Sequence, residues 1–391
     1  MLVENSVGFI DGCPTPVIVR ALLQASKFAD NCWKIRSIQV ASIARPGDIP
    51  ISDQAYLVYR HSFVLRCTGQ PDRALFIIGK FLDTLPFSYT LSPLLNAIYG
   101  LLLSSLSWAY ISQRKFTDAI SVGSQWIPGV SLYETRAEQK IVTARAIAHR
   151  HLGRLDHAIR DPKSVLSAST ISRAQLYTVA SLSDVYCEKQ QFRLAYDVLE
   201  ANAKTSGLSL TNVDVIPLQD TYYRTLLLSF SHVCSCLGMY VESDAVLLRL
   251  KEYFGPGPFA TTNDQQRLVR TLVLLAQNQH RQATDLIQWH CAVDSWHNLI
   301  HIAIYEYQSV SKSGWDYALI CLSLHHARRM AMKEKADDRW LRKASEIFLA
   351  PVEDHFWIPS MLSNWVSYIL DQDFGLSAEL RSRIMVCARL S

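Results

Sequence analysis

The densest group of side chains able to bind a metal or transfer protons lies in the stretch QWHCAVDSWHNLIHIAIYEY. Its members would share one face of an uninterrupted helix, and they are His290, Asp294, His297 and His301. The helical repeat of this chain instead predicts a turn at 291–294, which leaves His297 and His301 one turn apart. Asn298 stands where a metalloprotease helix carries its glutamate. We therefore expect ordinary buried or capping histidines here, and no metal site.

Other catalytic signatures are incomplete. The glycine-rich run FGPGPF at 254–259 has prolines where a phosphate-binding loop needs backbone N–H groups. Cys234 and Cys236 have no second cysteine pair at zinc-finger spacing. Asp337 and Asp338 lack the third aspartate that a helical diphosphate-processing enzyme would use for its metals. The sequence therefore predicts no catalytic residue, no bound metal and no cofactor.

The composition indicates a globular protein and argues against a nucleic-acid partner. The chain has 391 residues, of which 49% are hydrophobic and 19% charged, as in globular proteins rather than disordered ones. Its net charge of +4 is too dilute to predict a nucleic-acid partner. The basic run at 325–343 also holds acidic residues, which is typical of a solvated helix face. Nine scattered cysteines and a start without a signal peptide indicate reduced thiols in a cytoplasmic protein, with the nucleus as an alternative location.

One uncharged stretch, 84–113, is long enough to cross a membrane. Asn96 and several serines interrupt its apolar run, and Pro93 and Gly100 lie inside it. A buried helix of a soluble helical protein has the same composition. We therefore expect no membrane span.

The stretch RHLGRLDHAI at 150–159 predicts a tight connection between two helices. Before Gly153, apolar and small residues recur every three or four positions, which is typical of a helix. After it, Leu155 and Ala158 begin a second helical pattern, and Asp156 is suited to cap its start. The segment therefore predicts a helical hairpin.

Similar hairpins recur along the chain. Each predicted second helix carries a small residue near its start, where two helices cross closely and a large side chain would separate the backbones. These anchors are Ala74, Ala119, Ala158, Ala195, Ala245, Ala283 and Ala318. Their spacing of 35 to 50 residues suits stacked helical hairpins. Ala245 requires about two extra residues in its copy, and Pro162 is expected to kink or end the helix that contains it.

Two copies, LSDVYCEKQQFRLAYDVL and LSWAYISQRKFTDAI, carry a leucine, a tyrosine, a phenylalanine and an alanine at matching positions. This pattern resembles the tetratricopeptide repeat family over roughly residues 50–330. The resemblance implies an all-α fold: a right-handed superhelical array of antiparallel helical hairpins. We assign the array to residues 51–335, with helical caps at 1–50 and 336–391.

The resemblance also implies a function. In that family the first helix of each hairpin lines a groove for a peptide or partner helix, and aromatic and arginine side chains suit such interfaces. The groove residues carried over to this chain are Tyr59, Arg60, Phe63, Arg66, Trp108, Arg150, His151, Tyr177, Asp184 and Glu188. They lack the repeated Lys/Asn pattern by which some members clamp a terminal carboxylate. The expected function is therefore a non-catalytic scaffold or adaptor that binds a protein or peptide.

Two other functions remain open at this stage. One is an enzyme, or an accessory factor of a metabolic pathway, which needs a closed helical pocket with converging polar groups. The other is a regulatory array that senses a small ligand or peptide and changes its superhelical pitch. The oligomeric state and the identity of the partner are not encoded in any motif of the sequence.

Overall fold

A computed structural model of the chain describes a set of ranges that contains most of the predicted hairpins. These ranges are 50–67, 70–85, 93–126, 132–166, 173–218, 221–254, 271, 273–274, 315–332, 338–350, 358, 362–372 and 375–388. Residues 1–49 of the cap predicted at 1–50, the histidines at 290–301 and the anchor Ala283 lie outside the described residues.

Fourteen α-helices and no strand occur in these ranges, which confirms the all-α class. The first seven are α1 (Ile51–Cys67), α2 (Pro71–Leu82), α3 (Pro93–Ser112), α4 (Phe116–Gly123), α5 (Leu132–His151), α6 (Leu155–Leu166) and α7 (Arg173–Glu188). The others are α8 (Phe192–Thr205), α9 (Thr221–Leu237), α10 (Tyr240–Phe254), α11 (Trp315–Met332), α12 (Arg339–Phe348), α13 (Ser363–Asp371) and α14 (Ala378–Ala388). A short 3₁₀ helix, Val213–Val215, lies between α8 and α9.

The chain divides into two compact units, Met1–Arg145 and Ala146–Ser391. The described core of the first unit is built around α3, whose Leu101, Leu102 and Leu103 pack with apolar side chains of α1, α2 and α5. Among the described helices, Leu94–Ser112 alone is long and apolar enough to cross a membrane, and 56% of its most apolar window is buried inside the protein.

In the second unit, α7 and α9 are buried on nearly all sides, as expected for helices with neighbours on several faces. Serines occur at their close contacts because a hydroxyl is small and can bond to backbone. Ser183 donates to the Ala195 carbonyl of α8, and the Ser229 hydroxyl of α9 lies 3.4 Å from the Ala180 carbonyl of α7. These two serines therefore lie at contacts between neighbouring helices.

Within the described ranges, five helical hairpins share one turn. In each, the backbone N–H just before the second helix donates to a carbonyl five residues earlier, the bond of a Schellman C-cap. The donor–acceptor pairs, at 2.8 to 2.9 Å, are Gln70–Leu65, Lys115–Tyr110, Arg154–His149, Gln191–Tyr186 and Met239–Cys234. The residue before the donor has positive φ at Gly153 and Gly238, and also at Arg114 and Gln190. The five turns therefore have the same backbone geometry even where their residue types differ.

A fully buried small residue follows each of these turns, four positions after the donor. It is alanine in four hairpins, Ala74, Ala119, Ala158 and Ala195. In the α9–α10 hairpin it is Ser243, whereas the predicted anchor Ala245 is exposed. The prediction of Ala245, and of two extra residues in that copy, was therefore wrong. Ser243 fits the shared spacing because its hydroxyl is satisfied at 2.9 Å by the carbonyl of Ser231 on α9.

A further expectation concerns a helix breaker. Pro162 does not end its helix early, since α6 continues through it to Leu166 and buries the proline ring. The segment between α8 and α9 includes the 3₁₀ helix and is held by two arginines. Arg249 donates to the Ile216 carbonyl and pairs with Asp214 at 3.1 Å, and Arg224 donates to the Leu218 carbonyl.

The three helices α12, α13 and α14 lie within the helical cap predicted at 336–391. Arg383 of α14 donates to the carbonyl of Phe348, the last residue of α12. Arg381 donates to the Leu370 carbonyl near the end of α13. Cations at helix C-termini satisfy the final carbonyls and interact favourably with the helix dipole, so these arginines fix α14 against both neighbours.

Two glycines give a matched test of packing in the first unit. A Cβ at Gly100 would lie 2.7 Å from the Trp126 ring and 2.9 Å from the Ala137 Cβ, whereas one at Gly79 meets nothing within 4 Å. Gly100→Ala should therefore destabilise by about 1–3 kcal/mol through overpacking. Gly79→Ala should stabilise by about 0.5–1 kcal/mol, because alanine is the better helix former. Urea denaturation measures both changes, and equal shifts would contradict the packing of α3 against Trp126.

Candidate functional site

The predicted groove residues of the first unit lie on α1 and α3. Tyr59 is buried, while Arg60, Phe63, Arg66 and Trp108 are partly exposed. The Arg66 guanidinium lies 5.6 Å from the centre of the Phe63 ring, within the range of a cation–π contact. Aromatic and basic side chains therefore alternate along one helix.

Tyr59 lies at the centre of a group of cations. Its ring packs in the core with α3 and α5, and the Lys140 ammonium of α5 lies 5.9 Å from the ring centre. Burial alone would raise the pKa of the phenol. The charges of Lys140, Arg136 and Arg60, with a hydrogen bond from Lys140, together outweigh burial and lower the pKa of Tyr59 to about 8. The three cations therefore favour the phenolate form of Tyr59.

We expect Tyr59 to ionise near pH 8 rather than near pH 10. Absorbance at 295 nm during alkaline titration should show one early phenolate, and this step should vanish in Tyr59→Phe. Because the folded pKa is depressed, the native phenolate favours folding above the unfolded pKa, and this contribution is lost as pH falls through about 8. The stability of the wild type relative to Tyr59→Phe should therefore rise between pH 8 and pH 10. An identical titration of both proteins would contradict the cation cluster.

The second unit brings three predicted groove residues together. Arg150 near the end of α5 lies 3.0 Å from Asp184 and 3.3 Å from Glu188, which are one turn apart on α7. From α9, Ser229 donates to Asp184 at 3.1 Å, and His232 Nδ1 lies 3.8 Å from the same carboxylate oxygen. We call these five residues the charge cluster. It joins three helices that are each the first helix of a predicted hairpin.

The charge cluster is largely removed from water. The side chain of Asp184 is 2% exposed and that of His232 is 4% exposed, while Arg150 and Glu188 retain 12% and 11%. Asp184 is bonded by the guanidinium and by the serine, so its charge is compensated inside the protein. The arrangement is suited to hold the three helices in register. Its side chains are largely buried and bonded to one another, as in a structural charge network.

The remaining predicted groove residues of this unit, His151 and Tyr177, are partly exposed. Sequence reasoning missed His232 and Ser229, for which no motif gave a signal. It also missed Arg136 and Lys140. Arg136 lies fourteen residues, about four helical turns, before Arg150 on α5. Residues at this spacing lie on nearly the same face of a helix, so the prediction of Arg150 as a groove residue was a signal for these cations.

The described residues give little support for a metal site, a reactive thiol or an enzyme pocket. No group of three metal-binding side chains occurs there. Burial raises the pKa of the Cys234 and Cys321 thiols to about 12, so neither is a reactive thiolate. The depression of about 920 Å³ beside α12 and α14 is open and has a mixed lining that includes Arg342, Glu346 and Leu380. None of these features provides a closed pocket with converging polar groups.

Comparison of the chain with protein-family models gives no match, and comparison with curated proteins gives none at a significant level.

Proposed function

We propose that this protein is a non-catalytic scaffold or adaptor of the tetratricopeptide-like class. In this proposal the hairpins form a right-handed superhelical array over residues 51–335, capped at 1–50 and 336–391. The first helices present a concave face to a protein or peptide partner in the cytoplasm, and no nucleic acid, cofactor or metal takes part.

The observation that carries the proposal is the repeated hairpin geometry. Five turns with the same backbone bond, each followed by a buried small residue, are what an array of equivalent helical hairpins requires. Such an array gives each first helix an equivalent role. The partly exposed aromatic and arginine residues of α1 and α3 then supply the kind of side chains that dominate protein interfaces.

Trp108 is the residue we expect to contribute most to partner binding. It is partly exposed on α3, a first helix. Affinity purification of the tagged full chain with mass spectrometry would identify the partner. Trp108→Ala should then weaken the purified complex by about 2 kcal/mol or more, the range of an interface hot spot.

Phe76→Ala is the matched control. Phe76 is 69% exposed but lies on α2, a second helix, so its truncation should leave partner affinity unchanged. Thermal unfolding of both variants separates lost contacts from lost folding. Loss of the complex in Phe76→Ala, with retention in Trp108→Ala, would place the interface on the opposite face and overturn the proposal.

A further inference from the structure

An open groove lies between α12 and the segment 375–380, which leads into α14. Its volume is about 920 Å³, and its described lining lies within 338–350 and 375–380. We call this surface the cap groove, because both walls belong to the helical cap predicted at 336–391. The cap groove lies outside residues 51–335, to which the proposed array is assigned, so it is a second surface of the chain.

Contacts between the two walls fix the shape of the cap groove. Arg383 of α14 donates to the Phe348 carbonyl of α12 at 3.2 Å. At the start of α14, the Ser377 hydroxyl accepts a bond of 3.1 Å from the Leu380 N–H. The residues that α12 buries are Trp340, Ala344, Ile347 and Phe348. The opposite, exposed side of α12 therefore forms one wall of a preformed groove.

This wall carries a row of charges in the order negative, positive, negative. Asp338, Arg342 and Glu346 are exposed, line the groove and follow one another at four-residue intervals. Residues at this interval form a ridge along a helix, with about 6 Å between neighbours along the axis. A ligand with the opposite order of charges at the same interval would meet all three.

A second, less polar row lies beside the charges on α12. It consists of Leu341, Ser345 and Leu349, again at four-residue intervals. Leu349 is 37% exposed, and Leu341 is partly exposed. The Ser345 hydroxyl donates to the Leu341 carbonyl at 2.9 Å, so it is bonded within the helix. The wall therefore offers an apolar row and a charged row side by side, which is the complement of an amphipathic helix.

We propose that the cap groove binds a short amphipathic helix of a partner protein, which carries a cation, a carboxylate and a cation at four-residue intervals beside a row of apolar side chains. The cations meet Asp338 and Glu346, and the carboxylate meets Arg342. The order of charges on α12 reads the same in both directions, so the ligand helix can lie parallel or antiparallel to α12. This binding does not require the concave face of the proposed array.

Other ligands match the cap groove less well. An extended peptide turns successive side chains to opposite faces, so it offers α12 one row of side chains where the wall has two. Nucleic acid carries a negative charge on every phosphate, and Asp338 and Glu346 would repel it. A helix alone presents adjacent charged and apolar rows on one face.

The test uses the full chain and a fluorescein-labelled helical peptide with Lys, Glu and Lys at four-residue intervals beside a row of leucines, followed by fluorescence anisotropy. Arg342→Glu reverses the central charge of the groove. Lys80→Glu makes the same change in net charge on the exposed face of α2. Arg342→Glu should weaken binding at least about tenfold, and Lys80→Glu by less than about twofold. Equal losses in the two variants would show non-specific attraction and overturn the inference.

A charge swap separates a lost contact from lost folding. A second peptide, with Lys in place of the central Glu, should bind Arg342→Glu at least about tenfold more tightly than it binds the wild type. Lys80→Glu should show no such gain. Recovered binding also shows that Arg342→Glu is folded, whereas a swap without recovery overturns the inference.

Leu349→Ser tests the apolar row. Because Leu349 is more than a third exposed, thermal unfolding should change little, while peptide binding should weaken at least about fivefold. Unchanged binding in this variant would show that the peptide does not lie along α12, and the inference would fail.

Three further outcomes identify the ligand and separate this inference from the proposed function. An extended peptide or a single-stranded oligonucleotide that binds more tightly than the helical peptide, and loses binding in Arg342→Glu, would overturn the assignment to a helix. If the peptide is lost in Trp108→Ala but retained in Arg342→Glu, it binds the concave face, so the inference fails and the proposed function gains support. If partner capture ignores Trp108 while the peptide depends on Arg342, the proposed function fails and the cap groove stands.

Discussion

Arg150→Ala is expected to lower the free energy of unfolding by about 3–5 kcal/mol, the range found when one partner of a buried ion pair is removed. The guanidinium bonds Asp184 and Glu188, whose side chains are 2% and 11% exposed. Its loss leaves two carboxylates close together in a weakly hydrated site. Chemical denaturation at neutral pH measures the change.

Arg193→Ala provides the matched control. Arg193 also pairs with a carboxylate, Asp197, at 3.0 Å, but the two side chains are 75% and 50% exposed. Exposed pairs of this kind contribute about 0.5 kcal/mol or less. In a double-mutant cycle, Asp184→Asn should recover part of the loss in Arg150→Ala, because it removes the unpaired charge. Strictly additive effects would show that the charge cluster contributes no coupling.

Ala195→Leu is the second substitution with a large expected effect. Ala195 is fully buried at the crossing of α7 and α8, where its carbonyl also accepts the bond from Ser183. A leucine there should destabilise by about 1–3 kcal/mol through overpacking. Ser243→Leu should do at least as much, because it also removes the hydrogen bond to Ser231.

Ala245→Leu separates the observed register from the one predicted from sequence. Ala245 is exposed on α10, so a leucine there should change stability by no more than about 0.5 kcal/mol. The urea midpoints of the three variants give the comparison. A large loss in Ala245→Leu, with none in Ser243→Leu, would restore the predicted register and contradict the packing of α9 against α10.

The helical hairpins were predictable because two signals repeat along the chain, the apolar periodicity of each helix and the small residue near the start of the second. The register of the α9–α10 hairpin was not, because the prediction required alanine and so passed over Ser243. Serine is polar and is read as a surface residue until a backbone carbonyl is available to bond its hydroxyl. That carbonyl belongs to Ser231, on another helix, and only packing brings the two together.

The candidate sites also contain residues that the sequence predicted and residues that it did not. Arg150, Asp184 and Glu188 were predicted from the family resemblance as residues of first helices, and neighbouring hairpins bring them into contact. The role of Tyr59 could not be predicted, because its altered pKa depends on cations supplied by a helix about eighty residues later in the sequence. Short-range spacing cannot show which charges from distant helices converge on one side chain.

The turn shared by the five hairpins determines how freely their sequences can diverge. Its defining bond joins a backbone amide to a backbone carbonyl, so no particular side chain is needed to form it. Arg114 and Gln190 adopt the positive φ that glycine favours, at a cost of about 1–2 kcal/mol each, which the fold tolerates. The geometry therefore requires one small residue per hairpin and admits several residue types in the rest of the turn. Substitutions can then erase the similarity between copies while these five hairpins keep their backbone path.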